Sequence, residues 1–206
     1  MELLDPTEVR VLGALMEKEA TTPEYYPLSL NALVNACNQK TNREPVTDYD
    51  DDTVADALAS LREKHLALTL TGGSRVNKYQ QRMSETLNLG RRESAVLCVL
   101  FLRGPQTLGE IKDRSERMFS FADLAETEAV LEKLGALVKK LPRLPGQKEA
   151  RYVHLLSGEP DLEAMAEPSS AAPPTRVAQL EQDLRDLRSE FDDLKRRFEA
   201  LEAQLR

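Results

Sequence analysis

The hydrophobic pattern of the first 87 residues predicts three helices followed by a β-hairpin. Asp5, Pro6 and Glu8 form a helix-start signal before the first apolar stripe. Ser29 and the aspartates at 51–52 begin two further stretches with apolar residues at helical spacing. Residues 66–70 then alternate as a strand, a Gly-Gly turn follows at 72–73, and residues 75–80 return as the partner strand.

The same order of elements repeats over residues 88–158. An apolar helix over 91–103 ends at Gly104-Pro105, Thr107 caps a short second helix, and a third helix ends at Leu134. Strands over 137–141 and 150–156 flank a turn rich in Pro and Gly. The order of three helices and a hairpin therefore occurs twice. This is the layout of tandem winged helix-turn-helix domains of about 75 residues each. The predicted fold class is mainly α with small β-hairpins, an α+β protein.

The C-terminal part of the chain has a different pattern. Residues 159–174 form a predicted Pro-rich linker, and residues 175–206 carry an unbroken heptad repeat that predicts a coiled-coil helix. The predicted dimer seam consists of Val177, Leu180, Leu184, Leu187, Phe191, Leu194, Phe198, Leu201 and Leu205. Opposite charges at facing g and e positions favour a parallel homodimer. The alternative is a single amphipathic helix that folds back on the body of the chain.

Composition and charge narrow the function classes. The 206 residues carry a net charge of -7, which excludes a nucleic-acid-binding protein that is strongly basic over its whole length. Residues 1–87 are acidic, with a net charge of -5, whereas residues 88–158 carry +3. Any polyanion contact is therefore expected in the second domain. The absence of an apolar run of membrane-spanning length, of a signal peptide and of a cysteine framework predicts a cytoplasmic protein without a membrane partner.

A winged helix usually offers its third helix to the major groove and its wing to the DNA backbone. Carboxylates at 48 and 50–52 precede the third helix of the first domain and repel phosphates. In the second domain the third helix is also acidic, but basic residues follow the second helix and surround the wing. The candidate phosphate contacts are Lys112, Arg114, Arg117, Lys139, Lys140, Arg143, Lys148 and Arg151. They support DNA contact only if they share a face; the alternative is that they are ordinary solvated charges.

No motif indicates catalysis. The only histidines are His65, expected at the surface, and His154, expected to be a structural residue on a strand. Cys37 and Cys98 lie in apolar helical stretches, which favours buried packing roles. The aspartates at 48, 50 and 52 fail as a calcium loop, because its sixth and twelfth positions hold Thr and Ala. We therefore predict a protein that is not an enzyme, with no catalytic residue, metal, cofactor or small-molecule substrate.

Two long stretches of the chain resemble a known family. The first contains Val11-Leu12-Gly13-Ala14-Leu15-Met16-Glu17-Lys18 and Ala36-Cys37-Asn38-Gln39-Lys40-Thr41-Asn42-Arg43-Glu44-Pro45. The second contains Leu102-Arg103-Gly104-Pro105-Gln106-Thr107 and Pro145-Gly146-Gln147-Lys148-Glu149-Ala150-Arg151-Tyr152. Together they resemble the YceH-type family of uncharacterised bacterial proteins over roughly residues 5–158. The resemblance implies tandem winged-helix domains and supplies no catalytic or binding residues.

Two functional hypotheses follow from the sequence. In the first, the protein is DNA-associated or regulates transcription, contacts phosphates through its basic second domain and dimerises through its tail. In the second, the winged helices bind another protein and the chain is a scaffold without direct nucleic-acid contact. The base rate of the fold favours the first hypothesis, and the acidic third helices favour the second.

Overall fold

The computed structural model describes residues 2–71, 76–143 and 147–162. The chain divides into two compact units, Met1–Pro160 and Asp161–Arg206. Among the described residues, seven α-helices and two small antiparallel sheets give a mixed α+β fold. The predicted dimer seam, most of the predicted linker and the tips of both predicted hairpins lie outside the described residues.

The first half of the larger unit follows the predicted order of elements. Its elements are α1 (Pro6–Thr21), α2 (Leu30–Cys37), α3 (Asp51–Glu63), β1 (Ala67–Leu70) and β2 (Lys78–Gln81). Strands β1 and β2 pair antiparallel, with Ala67 opposite Gln81. A short helix that the sequence pattern did not predict, α4 (Met83–Thr86), follows β2.

The second half repeats this order with one additional strand. Its elements are α5 (Arg91–Arg103), β3 (Gln106–Thr107), α6 (Leu108–Ser115), α7 (Leu124–Leu134), β4 (Val138–Lys140) and β5 (Arg151–His154). The three strands pair antiparallel in the order β3-β5-β4. The predicted bounds of α5 agree with the structure at both ends.

Side chains just before the helices determine where the helices begin. The Asp5 carboxylate accepts hydrogen bonds from the backbone amides of Thr7 and Glu8, and the Glu8 carboxylate accepts one from the Asp5 amide. Thr107 and Glu110 form the same reciprocal capping box at the start of α6. These contacts satisfy amide donors that have no partner within the helix. The predicted starts of both helices are confirmed.

In both halves, the short segment between the first and second helices pairs through its backbone with the last strand of that half. In the first half, Leu28 and Tyr79 exchange two backbone hydrogen bonds of 3.1 and 2.7 Å. In the second half, β3 pairs with β5, which places Gln106 opposite Tyr152. The two halves thus share the order helix, short strand or bridge, helix, helix, strand, strand. The sequence pattern did not predict the pairing, because one or two residues carry no periodicity.

Helices α1 and α5 cross closely at Gly13, which joins the cores of the two halves. A Cβ atom at Gly13 would lie 3.0 Å from both Leu102 Cδ2 and Phe101 Cβ. The Cys98 thiol donates a 3.4 Å hydrogen bond to the Gly13 carbonyl oxygen. Apolar residues of α1 and α5 belong to one continuous buried cluster. The glycine is needed for this close approach of the two helices.

We expect Gly13→Ala to destabilise the protein by about 1–3 kcal/mol, because the new methyl group overpacks the α1–α5 contact. Gly109, near the start of α6, is the matched control: nothing lies within 4 Å of a Cβ atom built there. Gly109→Ala should leave stability unchanged or raise it by up to about 1 kcal/mol through helix propensity. Urea unfolding of both variants measures the difference; equal effects would contradict the close packing at Gly13.

Candidate functional site

Helix α3 has an acidic outward surface. Asp51, Asp52, Asp56 and Glu63 are exposed, together with the smaller Ala59, whereas the apolar residues of the helix face the core. The Asp50 carboxylate caps the helix, accepting a 2.8 Å hydrogen bond from the Thr53 amide. The helix has a single basic residue, Arg62, in its last turn. Base readout normally uses Arg, Lys, Asn or Gln side chains, so this surface is poorly suited to enter a DNA groove.

Helix α7 has an outward surface of small, apolar and acidic residues. Leu124 is 48% exposed, and Ala125, Ala129 and Glu132 are exposed beside it. The one basic residue of the helix, Lys133, forms an ion pair with Glu93 of α5 at 2.5 Å. Neither third helix therefore provides a row of basic or amide side chains for reading bases.

Two of the eight candidate phosphate contacts meet at one carboxylate of α6, that of Glu110. Arg151 Nη1 lies 2.9 Å from a Glu110 carboxylate oxygen and also donates a 2.8 Å hydrogen bond to the Pro105 carbonyl oxygen. Arg114 Nη2 lies 3.4 Å from the other Glu110 oxygen. Glu110 thus offsets part of the positive charge that the sequence assigned to this region.

The two lysines of β4 point to opposite faces of the sheet, as neighbouring strand residues do. Lys140 Nζ lies 3.4 Å from a Glu128 carboxylate oxygen on α7 and 5.3 Å from the centre of the Tyr152 ring. Lys139 instead forms an ion pair with Glu159. The eight basic residues therefore do not form one continuous positive face. The remaining four make no ion pair with any residue that the structure describes: Lys112, Arg117, Arg143 and Lys148.

The polar loop between α2 and α3 is anchored by buried arginines. The Arg43 side chain is 0% exposed; it donates hydrogen bonds to the Glu17 carboxylate at 3.2 and 2.7 Å and to the Ala36 carbonyl oxygen at 3.0 and 2.8 Å. The buried Arg10 side chain donates to the carbonyl oxygens of Cys37 and Pro45. Both arginines are thus structural residues that hold the loop in place. The sequence pattern did not predict that Arg43 pairs with Glu17, because the two residues are 26 positions apart.

A cavity of about 500 Å³ lies between α1, α4 and α5. Gln81 Nε2 donates hydrogen bonds to a Glu19 carboxylate oxygen at 2.6 Å and to Ser84 Oγ at 3.2 Å. Ser84 Oγ lies 3.0 Å from Ser94 Oγ. These polar groups satisfy one another, and no histidine, cysteine or lysine lines the cavity. The arrangement provides hydrogen bonding but no activated nucleophile.

Both cysteines and both histidines lie in the described part of the chain. Both cysteines are buried free thiols, as expected, and burial raises the pKa of Cys37 to about 12. His65 is exposed, also as expected. His154 packs edge-on against Phe101 with ring centres 4.9 Å apart, and its buried Nδ1 makes no hydrogen bond with any residue that the structure describes.

Metal-binding clusters and membrane-spanning helices are both absent from the described residues. No cluster of three or more His, Cys, Asp or Glu side chains is arranged to hold a metal ion in the residues that the structure describes. No helix in the same residues combines the length and the apolar character needed to cross a membrane.

The architecture defines the chain as a small α+β protein whose two halves have the same order of elements. It belongs to the family described as "Protein of unknown function, DUF480", whose model matches residues 4–147. It is 54% identical over 202 residues to a UPF0502 protein of Solibacter usitatus, covering 95% of this chain and 98% of the relative. A UPF0502 protein of Vibrio parahaemolyticus is 48% identical over 210 residues, covering 96% and 97%. The family is an uncharacterised bacterial one, and these names state no activity, ligand or partner.

The buried ion pair between Arg43 and Glu17 should contribute to the free energy of unfolding, and this contribution should depend on pH. Arg43→Met leaves the Glu17 carboxylate buried without its cation and should cost about 3–5 kcal/mol at pH 7. Burial raises the pKa of Glu17, but the hydrogen bonds and positive charges of Arg43 and Lys18 together outweigh burial and hold the pKa below its ordinary value of 4.5. The stabilisation is therefore fully present above pH 4.5 and is lost as the pH falls through the lowered pKa.

Urea unfolding at several pH values measures this effect. The gap between the original protein and Arg43→Met should shrink as the pH falls from 7 toward 3. Arg62→Met, at an exposed arginine on α3, is the control and should change stability by less than about 0.5 kcal/mol. A gap that stays constant over this pH range would show that the ion pair does not contribute in this way.

Proposed function

We propose that the chain is a tandem winged-helix protein that binds another protein through the outward surfaces of α3 and α7, without reading DNA bases. The repeated element order supports the winged-helix assignment: a short strand or bridge lies between the first two helices and pairs with the second hairpin strand in each half. The two modules correspond to residues 1–87 and 88–158. The proposal makes the chain a non-enzymatic interaction protein of the bacterial cytoplasm, and the two buried reduced thiols support that compartment.

The observation that carries this proposal is the composition of the exposed third-helix surfaces. Helix α3 exposes four carboxylates against one arginine, and α7 exposes Leu124 and two alanines beside acidic residues. Phosphates are repelled by such surfaces, whereas a partner protein with basic and apolar side chains complements them. The pairing of four candidate phosphate contacts with nearby carboxylates also favours a protein partner.

DNA-backbone contact by the second module is the second candidate function. It is favoured by the four basic residues that make no ion pair with a described residue, Lys112, Arg117, Arg143 and Lys148. In this alternative the contact is with phosphates alone and carries no sequence information. Self-association through the heptad seam of the tail remains a prediction under both functions, and it would double the number of binding surfaces.

Site-specific photo-crosslinking in living bacterial cells tests the proposed function. A benzophenone amino acid replaces Ala59 at the exposed centre of α3 or Ala129 at the exposed centre of α7. We expect protein adducts at one or both positions, because these side chains lie on the proposed contact surface. The matched control carries the same amino acid in place of Asp113, an exposed residue of α6, and should give no such adduct.

Charge reversal separates the two candidate functions. Asp52→Lys with Asp56→Lys should reduce the protein adduct at position 59 several-fold, since the acidic surface attracts the partner. The purified protein should show no anisotropy change with random duplex DNA at about 50 mM salt. Salt-sensitive DNA binding that weakens in Arg143→Glu with Lys148→Glu, without protein adducts on α3 or α7, would contradict the proposal.

A further inference from the structure

Three arginines from consecutive segments of the second half line one small cavity. Arg103 is the last residue of α5, Arg114 lies in the last turn of α6, and Arg117 follows two residues after that helix. The cavity has a volume of about 40 Å³, and α1 contributes Glu17 to its wall. The lining residues come from α1, α5, α6, the segment just after α6 and the α2–α3 loop, so the close crossing of α1 and α5 helps to bring this wall together.

The positive charge at this cavity exceeds the negative charge held against it. Glu17 is already bonded in a bidentate manner by Arg43. Arg103 donates only to the neutral Asn42 side chain, and it makes no ion pair with a described residue. Arg117 likewise has no carboxylate partner in the described part of the chain. Neither guanidinium group therefore forms an ion pair with a described carboxylate, although the charges of Glu44 and Glu17 act on Arg103.

The third guanidinium, that of Arg114, is only partly satisfied. Its Nη2 lies 3.4 Å from Glu110, but its Nη1 is buried without any hydrogen-bond partner among the described residues. A buried donor without an acceptor is unfavourable, and a bound anion would relieve it. Burial, followed by the neighbouring Arg114 cation, lowers the pKa of Arg103, and the carboxylates of Glu44 and Glu17 offset this only in part.

We propose that this cavity binds the terminal phosphate of a small phosphate monoester. Planar guanidinium groups match phosphate oxygens with paired hydrogen bonds, and arginine is favoured wherever such recognition matters. A monoester phosphate offers three terminal oxygens and nearly two negative charges at pH 7, enough for three arginines. A phosphodiester within a nucleic acid offers two such oxygens and one charge. The small volume fits a phosphate group and leaves the rest of the ester outside the cavity.

The roles of the three arginines in this proposal differ. Arg117 is exposed and reaches the phosphate from the open side, so its replacement should not disturb folding. Arg103 is half-buried beside Asn42, and Arg114 is held by Glu110, so both are pre-oriented toward the cavity. Pre-orientation lowers the entropic cost of binding a small anion.

Isothermal titration calorimetry with inorganic phosphate tests the proposal on the full chain at pH 7.5 and low salt. We expect binding in the original protein, with an affinity reduced at least tenfold in Arg117→Gln and in Arg103→Gln. The matched control is Arg143→Gln, at an exposed arginine in the β4–β5 segment, and it should bind phosphate as the original does. Circular dichroism of each variant shows whether its fold is retained.

Dimethyl phosphate and random duplex DNA distinguish the two sources of phosphate. The proposal predicts that dimethyl phosphate, a diester with a single charge, binds at least tenfold more weakly than inorganic phosphate. It is overturned if phosphate fails to bind at about 10 mM, a concentration that detects even weak sites. It is also overturned if folded Arg117→Gln binds phosphate unchanged, or if duplex DNA binds through these arginines while the monoester does not.

Discussion

The close crossing of α1 and α5 at Gly13 is the contact on which the rest of this structure depends. Because Gly13 has no side chain, Phe101 and Leu102 approach the α1 backbone and the cores of the two halves merge. The Cys98 thiol adds a hydrogen bond to the Gly13 carbonyl oxygen at the same place. A larger residue would hold the helices apart, and overpacked cores cost free energy or rearrange. The two halves thus share one core in place of two small ones.

The same crossing brings polar groups of both halves together. Glu17 lies one turn after Gly13 on α1, and Arg103 lies just after the contact residues of α5, so both reach the small cavity beside α6. Arg43 neutralises Glu17 and at the same time fixes the loop between α2 and α3 through the Ala36 carbonyl oxygen. An ion pair this well buried is retained only when hydrogen bonds offset the loss of hydration. The loop geometry and the cavity wall are therefore linked through one side chain.

Local features of this chain could be predicted from the sequence, and long-range pairings could not. The capping boxes at Asp5 and Thr107 act within three residues, so the starts of α1 and α6 followed directly from residue types. Arg151, by contrast, meets Glu110 across 41 positions, and no local pattern contains that information. The sequence therefore indicated that basic residues cluster in the second half. It did not indicate which face of the protein, or which carboxylate partner, each of them has. The backbone bridge at Leu28 was missed because it is shorter than any strand period.

Native-state hydrogen exchange is the most direct test of the claim that the two halves share one core. The amides of Leu12 and Leu15 in α1 and of Leu97 and Leu100 in α5 report on the two sides of the contact. If α1 and α5 share one core, these four amides exchange only through a common opening and give the same free energy. Exchange of the α1 amides at a markedly lower free energy, with the α5 amides still protected, would contradict a shared core.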